Sequence, residues 1–155
     1  MDILASMLLV GAGATAVTDL WSLARKGLFD IAPPDFGLVG RWIAHLSRGR
    51  FRHASIAAAP AVRGERLLGW VAHYLIGIAF AGILLGVWGM DWMRQPRLAP
   101  ALIVGAVTVV APLFLMQPAM GHGFSARRAF HSLVMHLVFG FGLYAAGWIT
   151  NLITS

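Results

Sequence analysis

Long apolar runs separated by shorter polar stretches are the dominant pattern of this chain. A helix needs about 20 consecutive apolar residues to cross the roughly 30 Å hydrocarbon core of a bilayer. Four windows approach or exceed that length: residues 3–23, 67–89, 100–117 and 130–149, called here spans one to four. The pattern therefore predicts an all-α fold, a compact bundle of four transmembrane helices that form a single domain over residues 1–155.

The third span is the shortest, and its prolines shape it. Pro100 lies near its first turn, where a missing N–H group is tolerated. Pro112 lies in its interior, so we expect a kink there. Pro118 and Gly121 then predict its end.

Composition supports a membrane environment and excludes several kinds of site. Hydrophobic residues make up 59% of the chain and charged residues only 12%, whereas soluble domains carry roughly 25% charged residues. The net charge is +6, and the basic residues lie beside apolar runs, so anionic lipid headgroups are a better partner than nucleic acid. The absence of cysteine excludes disulfides, thiolate metal sites, iron–sulfur clusters and covalently attached c-type haem.

The basic residues are distributed unevenly between the loops. Loops 24–66 and 118–129 carry ten of the 12 Lys and Arg residues: Arg25, Lys26, Arg41, Arg48, Arg50, Arg52, Arg63, Arg66, Arg127 and Arg128. The other two, Arg94 and Arg97, lie between spans two and three. The positive-inside rule therefore places loops 24–66 and 118–129 in the cytoplasm and both termini in the periplasm, for a bacterial inner-membrane protein.

Two other interpretations of the first apolar run are disfavoured. A secretory signal peptide has its positive charges before the apolar stretch, but here Arg25 and Lys26 follow it. The segment from Gly11 to Ala16 matches the dinucleotide-binding pattern G-x-G-x-x-A, but that motif functions only between a strand and a helix. Inside an unbroken apolar run, these small residues indicate a helix-packing surface instead.

The first loop, residues 24–66 and called loop one below, contains an amphipathic stretch. Its apolar positions are Leu38, Trp42, Ile43 and Leu46, and they alternate with Arg41, His45 and Arg48. This pattern predicts a short helix in the membrane interface, with a solvated basic loop as the alternative. We expect four arginines of this loop to contact anionic headgroups: Arg41, Arg48, Arg50 and Arg52.

The two halves of the chain resemble each other faintly. Residues 71–77 (VAHYLIG) align with residues 134–140 (VMHLVFG), and Gly11-Ala12 aligns with Gly105-Ala106. Spans one and three would enter the membrane from the same side. The alignment therefore predicts a parallel two-plus-two duplication, with chance similarity among apolar residues as the alternative.

Polar residues inside the spans are the candidate functional residues. At 1.5 Å per residue, Asp19 lies about 7–8 Å, and His73 and His136 about 9 Å, from the loop 24–66 side of the membrane. Gln117 and His131 mark the same end of spans three and four. Because an ionisable group in hydrocarbon is costly and usually functional, we predict that these five residues form one polar intramembrane cluster.

Four interpretations of this cluster remain open. It is a structural Asp–His hydrogen bond, a proton-relay pair on a transport path, a divalent-metal site made by Asp19, His73 and His136, or a haem b site with His73 and His136 as axial ligands. A hydrolase using Ser132 lacks a nucleophile elbow or an oxyanion-hole signature. The sequence therefore favours a non-enzymatic accessory protein or small transporter, expected as a homodimer or with a partner membrane protein, with a haem- or metal-binding redox protein as the alternative.

Several segments resemble a family of bacterial inner-membrane proteins of unknown function. The similarity is carried by the strings GAGATAVTDLWSL, GRWIAHLSRGRFRHASI and ERLLGWVAHYLIGIAFA and by Gln117-Pro118. It extends from Gly11 to about Trp148. The resemblance implies a four-span membrane protein and assigns no catalytic residue.

The charge distribution makes a testable prediction of topology. Reporters fused before Asp2, after Ser155 and near Arg94 should report the periplasm, and one near Arg52 should report the cytoplasm, because basic loops are retained inside. Alkaline phosphatase and fluorescent-protein activities measure this directly. A cytoplasmic C-terminus would contradict the assignment.

Overall fold

The computed structural model describes residues 2–154, and in this range the chain is helical without strands. Four helical segments are long and apolar enough to span a membrane, which confirms the all-α, four-span bundle. The elements are α1 (Ile3–Phe29), α2 (Phe36–Leu46), a 3₁₀ turn (Ile56–Ala58), α3 (Glu65–Trp88), α4 (Asp91–Arg94), α5 (Leu98–Thr108), a π-helical segment (Ala111–Met116), α6 (Gln117–Ala119) and α7 (Ala126–Thr154). Spans one, two and four correspond to α1, α3 and α7, and span three is Leu98–Ala119.

The helices extend beyond the apolar windows, most clearly at the end of α1. This helix continues six residues past Leu23, to Phe29. It ends at Asp30, which adopts a left-handed conformation with φ 53°. The N–H groups of Asp30 and Ile31 then bond the carbonyls of Lys26 and Arg25. Backbone hydrogen bonds continue through polar residues, so the helix end is set by this cap rather than by hydropathy.

Pro112 distorts the third span, as its position predicts. The helix widens into a π-helical turn over Ala111–Met116, and the N–H of Leu113 bonds the carbonyl of Val109 at 3.2 Å. Proline has no N–H to donate, and its ring crowds the carbonyl one turn earlier. A wider turn relieves that crowding while the helix continues through the membrane.

Span one occupies the centre of the bundle. It packs against span two on one side and span four on the other, while span three packs on span four and more lightly on span two. The main core therefore lies where the first and last spans meet. It includes Val10, Ala14, Leu84, Leu85, Trp92, Phe139 and Leu143.

Glycines at equivalent places bring the helices into backbone contact in both halves. A Cβ atom added at Gly11 would lie 2.9 Å from the carbonyl oxygen of Gly77. One added at Gly105 would lie 2.9 Å from Cα of Gly140. These are the glycines that the two-plus-two alignment pairs. Each half thus packs its first span on its second through equivalent positions, which supports the predicted duplication.

The first loop is a packed element rather than a loose connection. The amphipathic helix is present as α2, and its Gly40 lies against Gly69 at the start of α3. Trp42 is buried against protein, with Ile56, Ala119 and Met120, and donates a 2.9 Å hydrogen bond to the carbonyl of Phe51. Trp42 is therefore covered by the remainder of the loop and the end of span three rather than by lipid.

Close approach at Gly69 predicts the effect of adding a methyl group. Gly69→Ala should destabilise the protein by about 1–3 kcal/mol, the usual range for overpacking, because the new Cβ meets the carbonyl of Phe36. Gly86→Ala in the same helix is the matched control, since nothing lies within 4 Å of its added Cβ. Thermal unfolding in detergent measures both, and equal stability of the two variants would contradict the contact.

Candidate functional site

The central feature of the candidate site is a hydrogen-bonded pair between spans one and two. Nε2 of His73 lies 2.9 Å from Oδ1 of Asp19. Gly11 and Thr15, two turns and one turn earlier on the same face of α1, pack against Gly77, so the two backbones are close enough for these side chains to meet. The structure thus brings together two of the residues that the sequence predicted to form a cluster.

Tyr74 completes the site and was missed by the sequence analysis. Its hydroxyl donates to the other carboxylate oxygen, Oδ2 of Asp19, at 3.1 Å. Neighbouring residues on a helix point about 100° apart, so periodicity does not predict a shared partner for His73 and Tyr74. They share one because Asp19 lies between them and presents one oxygen to each. Both oxygens of an intramembrane carboxylate are therefore satisfied.

The beginning of α2 covers the histidine. The ring of Phe36 stacks on the ring of His73 with centroids 4.1 Å apart and an interplanar angle of 28°. Trp70 adds an edge contact at 5.9 Å. The pair is nevertheless not sealed, since the side chains of His73 and Asp19 remain 21% and 19% exposed. Loop one thus covers the ring of His73, while part of both side chains is not covered by protein.

The other residues of the predicted cluster lie in separate pairs. Nδ1 of His136 is 3.0 Å from Oγ1 of Thr108, and Nε2 of Gln117 donates to Oγ of Ser132 at 3.0 Å. His131 is half-buried beside Phe130. No hydrogen bond described here joins these groups to Asp19, so the single five-residue cluster is replaced by three separate polar contacts.

This arrangement does not suit the metal and haem interpretations. Among residues 2–154, no three or more His, Cys, Asp or Glu side chains lie together as metal ligands would. For haem, His73 and His136 would need to face one iron. Instead His73 directs Nε2 at span one and His136 directs Nδ1 at span three. The two imidazoles serve different helix contacts because a different partner lies next to each.

The arginines assigned to lipid headgroups fall into two groups. Arg41 holds the carboxylate of Glu65 with two hydrogen bonds of 2.8 and 2.7 Å. Its Nη1 lies 3.1 Å from the carbonyls of both Ala57 and Ala59. The hydrogen bond with Glu65 raises the pKa of Arg41, so its charge is fixed. Arg41 therefore fastens loop one to α3, while three arginines are exposed and free to meet headgroups: Arg48, Arg50 and Arg52.

Loop one also contains a histidine pair that the sequence did not reveal. His45 is only 2% exposed, and its Nε2 lies 3.0 Å from the carbonyl of Pro60. A carbonyl only accepts, so Nε2 carries the hydrogen. Nδ1 of His45 lies 3.3 Å from Nε2 of His53. Irregular backbone brings these two rings together, which no periodic pattern predicts.

Comparison with known families identifies the family of this chain. Residues 8–150 match the family described as "Protein of unknown function (DUF2938)". The chain belongs to this family. The match includes all four spans and loop one, and it confirms the resemblance to an uncharacterised family. No curated protein and no solved structure is similar enough to match the chain.

A double-mutant cycle tests the geometry of the site. Asp19→Ala and His73→Phe should show a coupling energy of about 0.6–1.7 kcal/mol, as measured for hydrogen bonds between membrane helices. Phenylalanine at position 73 keeps an aromatic ring against Phe36. The free energy of unfolding of each variant is measured by titration with a denaturing detergent.

The matched cycle uses His136→Phe in place of His73→Phe. Its coupling with Asp19→Ala should be zero within about 0.3–0.5 kcal/mol, the limit of additivity for independent sites. Strong coupling to His136 and none to His73 would contradict the described pairs.

Proposed function

We propose that this protein is a non-enzymatic membrane protein of the small-transporter class, in which Asp19, His73 and Tyr74 form a proton-binding site. The observation that carries the proposal is the carboxylate of Asp19, which lies in a membrane span and receives hydrogen bonds on both oxygens from the next span. An ionisable residue at this depth is disfavoured by about 2.5–3.5 kcal/mol unless it is compensated. Its presence in span one therefore calls for a function or a specific structural role.

The chemistry of the three side chains suits proton exchange. Carboxylate, imidazole and phenol each exist in two protonation states, and the first two are in direct contact at 2.9 Å. A proton can move between Asp19 and His73 without any movement of the two helices, because Oδ1 and Nε2 are already in hydrogen-bond contact. Tyr74 compensates the carboxylate while it is charged. Incomplete burial of the pair supports exchange with water at the loop-one end of the bundle.

The orientation proposed with this function places loops 24–66 and 118–129 in the cytoplasm and both termini in the periplasm of a bacterial inner membrane. Contacts between the two loop regions support one common basic end. The N–H of His53 bonds the carbonyl of Ala119 at 2.9 Å, and the N–H of Ile56 bonds that of Met120 at 3.0 Å. Proton exchange would then occur on the cytoplasmic side.

We further propose that the protein works as a homodimer in contact with anionic lipids. Four spans enclose little space by themselves, so a second copy would be needed to complete a path. Gly13 and Ala146 lie in an apolar groove of about 300 Å³ on the surface between α1 and α7. Its lining also includes the apolar side chains of Leu9, Val17 and Ile149, which a second copy would cover, and this supports the groove as the contact surface.

Infrared titration of the purified protein tests the proton site. Wild-type protein should show a protonated-carboxyl C=O band that appears as pH falls. All six Asp and Glu side chains contribute to this band, so Asp19→Asn should remove the Asp19 component and leave the rest of the band. Asp91→Asn is the matched control, since Asp91 is exposed at the opposite end and pairs only with Arg94.

Proton flux into vesicles tests the transport class. Wild-type proteoliposomes under a potassium-diffusion potential should acidify faster than those containing Asp19→Asn, while Asp91→Asn should match wild type. If the Asp19 component of the carboxyl band titrates but no proton flux is measured, the protein is a proton-binding accessory protein rather than a transporter. Absence of both would contradict the proposal and assign the pair to helix packing.

A further inference from the structure

Arg25, in the last two turns of α1, is buried although it carries a permanent charge. Only 6% of the residue is exposed. It follows Thr18 and Ser22 along the buried stripe of the helix, so it points toward the bundle rather than the lipid. Lys26, the next residue, is exposed. Two adjacent positive side chains thus have opposite environments: Arg25 is buried and Lys26 is exposed.

The Nε atom of the Arg25 guanidinium group lacks an acceptor. This atom is enclosed and has no hydrogen-bond partner. The ion pairs of residues 2–154 are Arg41–Glu65, His73–Asp19 and Arg94–Asp91, and Arg25 is in none of them. Asp30, the nearest acid along the chain, is exposed. One turn before Arg25, the indole N–H of Trp21 is also enclosed without an acceptor.

The helix that faces Arg25 supplies further positive potential and no acid. Ala14 contacts Gly142 and Ser22 contacts Met135, so the antiparallel register places Arg25 opposite the first turns of α7. This helix has no acidic residue in its first turn, and Arg127 and Arg128 lie there. A helix N-terminus is itself partly positive.

A buried cation in such surroundings requires an external anion. An unpaired buried charge is strongly destabilising, and a hydrogen-bonded partner removes most of that cost. The planar guanidinium fork matches the oxygens of a phosphate group and binds two of them at once. The depth of Arg25, near the end of a membrane span, is also the depth of lipid phosphates.

We propose that Arg25 and the first turns of α7 form a binding site for a phosphate group, carried by an anionic lipid or a soluble phosphate. The site is separate from the Asp19–His73 pair and from the exposed arginines of loop one. It does not depend on the proposed proton site. Filling it gives the guanidinium group of Arg25 an acceptor and links span one to span four.

Ligand-induced stabilisation of the full-length protein in detergent tests the site. Phosphatidylglycerol should raise the melting temperature of wild-type protein, whereas diacylglycerol, which lacks phosphate, should not. Arg25→Gln should weaken the phosphatidylglycerol response about tenfold in apparent affinity, equivalent to the loss of one charge-assisted hydrogen-bonded contact. Lys26→Gln, which removes the adjacent exposed charge, should change it by less than about twofold.

Inorganic phosphate identifies the source of the ligand. Stabilisation by phosphatidylglycerol alone assigns the site to a lipid headgroup, and stabilisation by both assigns it to any phosphate. Failure of both to stabilise wild-type protein overturns the proposal. Equal losses in the Arg25→Gln and Lys26→Gln variants also overturn it, because the effect would then be net charge.

A measurement on wild-type protein covers the case in which Arg25→Gln does not fold. Solid-state ¹⁵N–³¹P dipolar recoupling in phosphatidylglycerol bilayers, or with inorganic phosphate where that is the stabilising ligand, should show an arginine side-chain nitrogen within direct hydrogen-bond distance of phosphorus-bound oxygen. Arg25→Lys should reduce that signal by the contribution of one guanidinium group, because the exposed Arg48, Arg50 and Arg52 also meet headgroups, and should retain partial lipid stabilisation. An unchanged arginine–phosphorus signal in Arg25→Lys would place the contact elsewhere and overturn the assignment.

Discussion

Backbone-to-backbone contact at glycines is the interaction on which this structure depends. In lipid, apolar side chains gain little by meeting one another, so helices associate through close packing and hydrogen bonds. Gly11 and Gly77 join spans one and two, and Gly105 and Gly140 join spans three and four. Gly142 then fits against Ala14 where the two halves meet. A side chain at any of these positions would separate helices that are held by surface fit.

The candidate site is a consequence of this packing. Asp19 reaches His73 and Tyr74 because Gly11 and Thr15 already hold α1 against α3 two turns and one turn away. The hydrogen bonds in turn satisfy a carboxylate that lipid would disfavour. Packing and polar pairing thus depend on each other, and both oxygens of the acid are used. The region is at once a structural junction and a place where a proton can bind.

Loop one extends the same principle outside the membrane. Gly40 and Gly69 bring α2 against the beginning of α3, and the two-pronged contact of Arg41 with Glu65 fixes the loop there. The loop then covers the end of span three through Ile56 and Met120. Because Phe36 at the start of α2 stacks on His73, the position of this loop controls how much of the intramembrane pair is exposed.

The sequence by itself determined the number of spans, their approximate limits, the basic asymmetry of the loops and the glycines at equivalent places in the two halves. These features follow from the hydropathy, charge and size of residues that are close together in the sequence. Even the distortion at Pro112 is local, because proline lacks an N–H wherever it occurs. The presence of His73 and His136 at equivalent places was visible for the same reason.

Only the tertiary structure decided what each of those histidines contacts. The residue equivalent to Asp19 in the second half is Leu113, so His136 has no acid opposite it and pairs with Thr108 instead. Depth along a span is readable from residue number, but direction around the helix relative to its neighbours is not. The order in which the spans pack, with span one between two and four, sets which faces meet. That order arises from contacts between residues distant in the chain, such as Gly142 and Ala14, and for this reason it divided the expected cluster into separate pairs and left Arg25 buried beside α7.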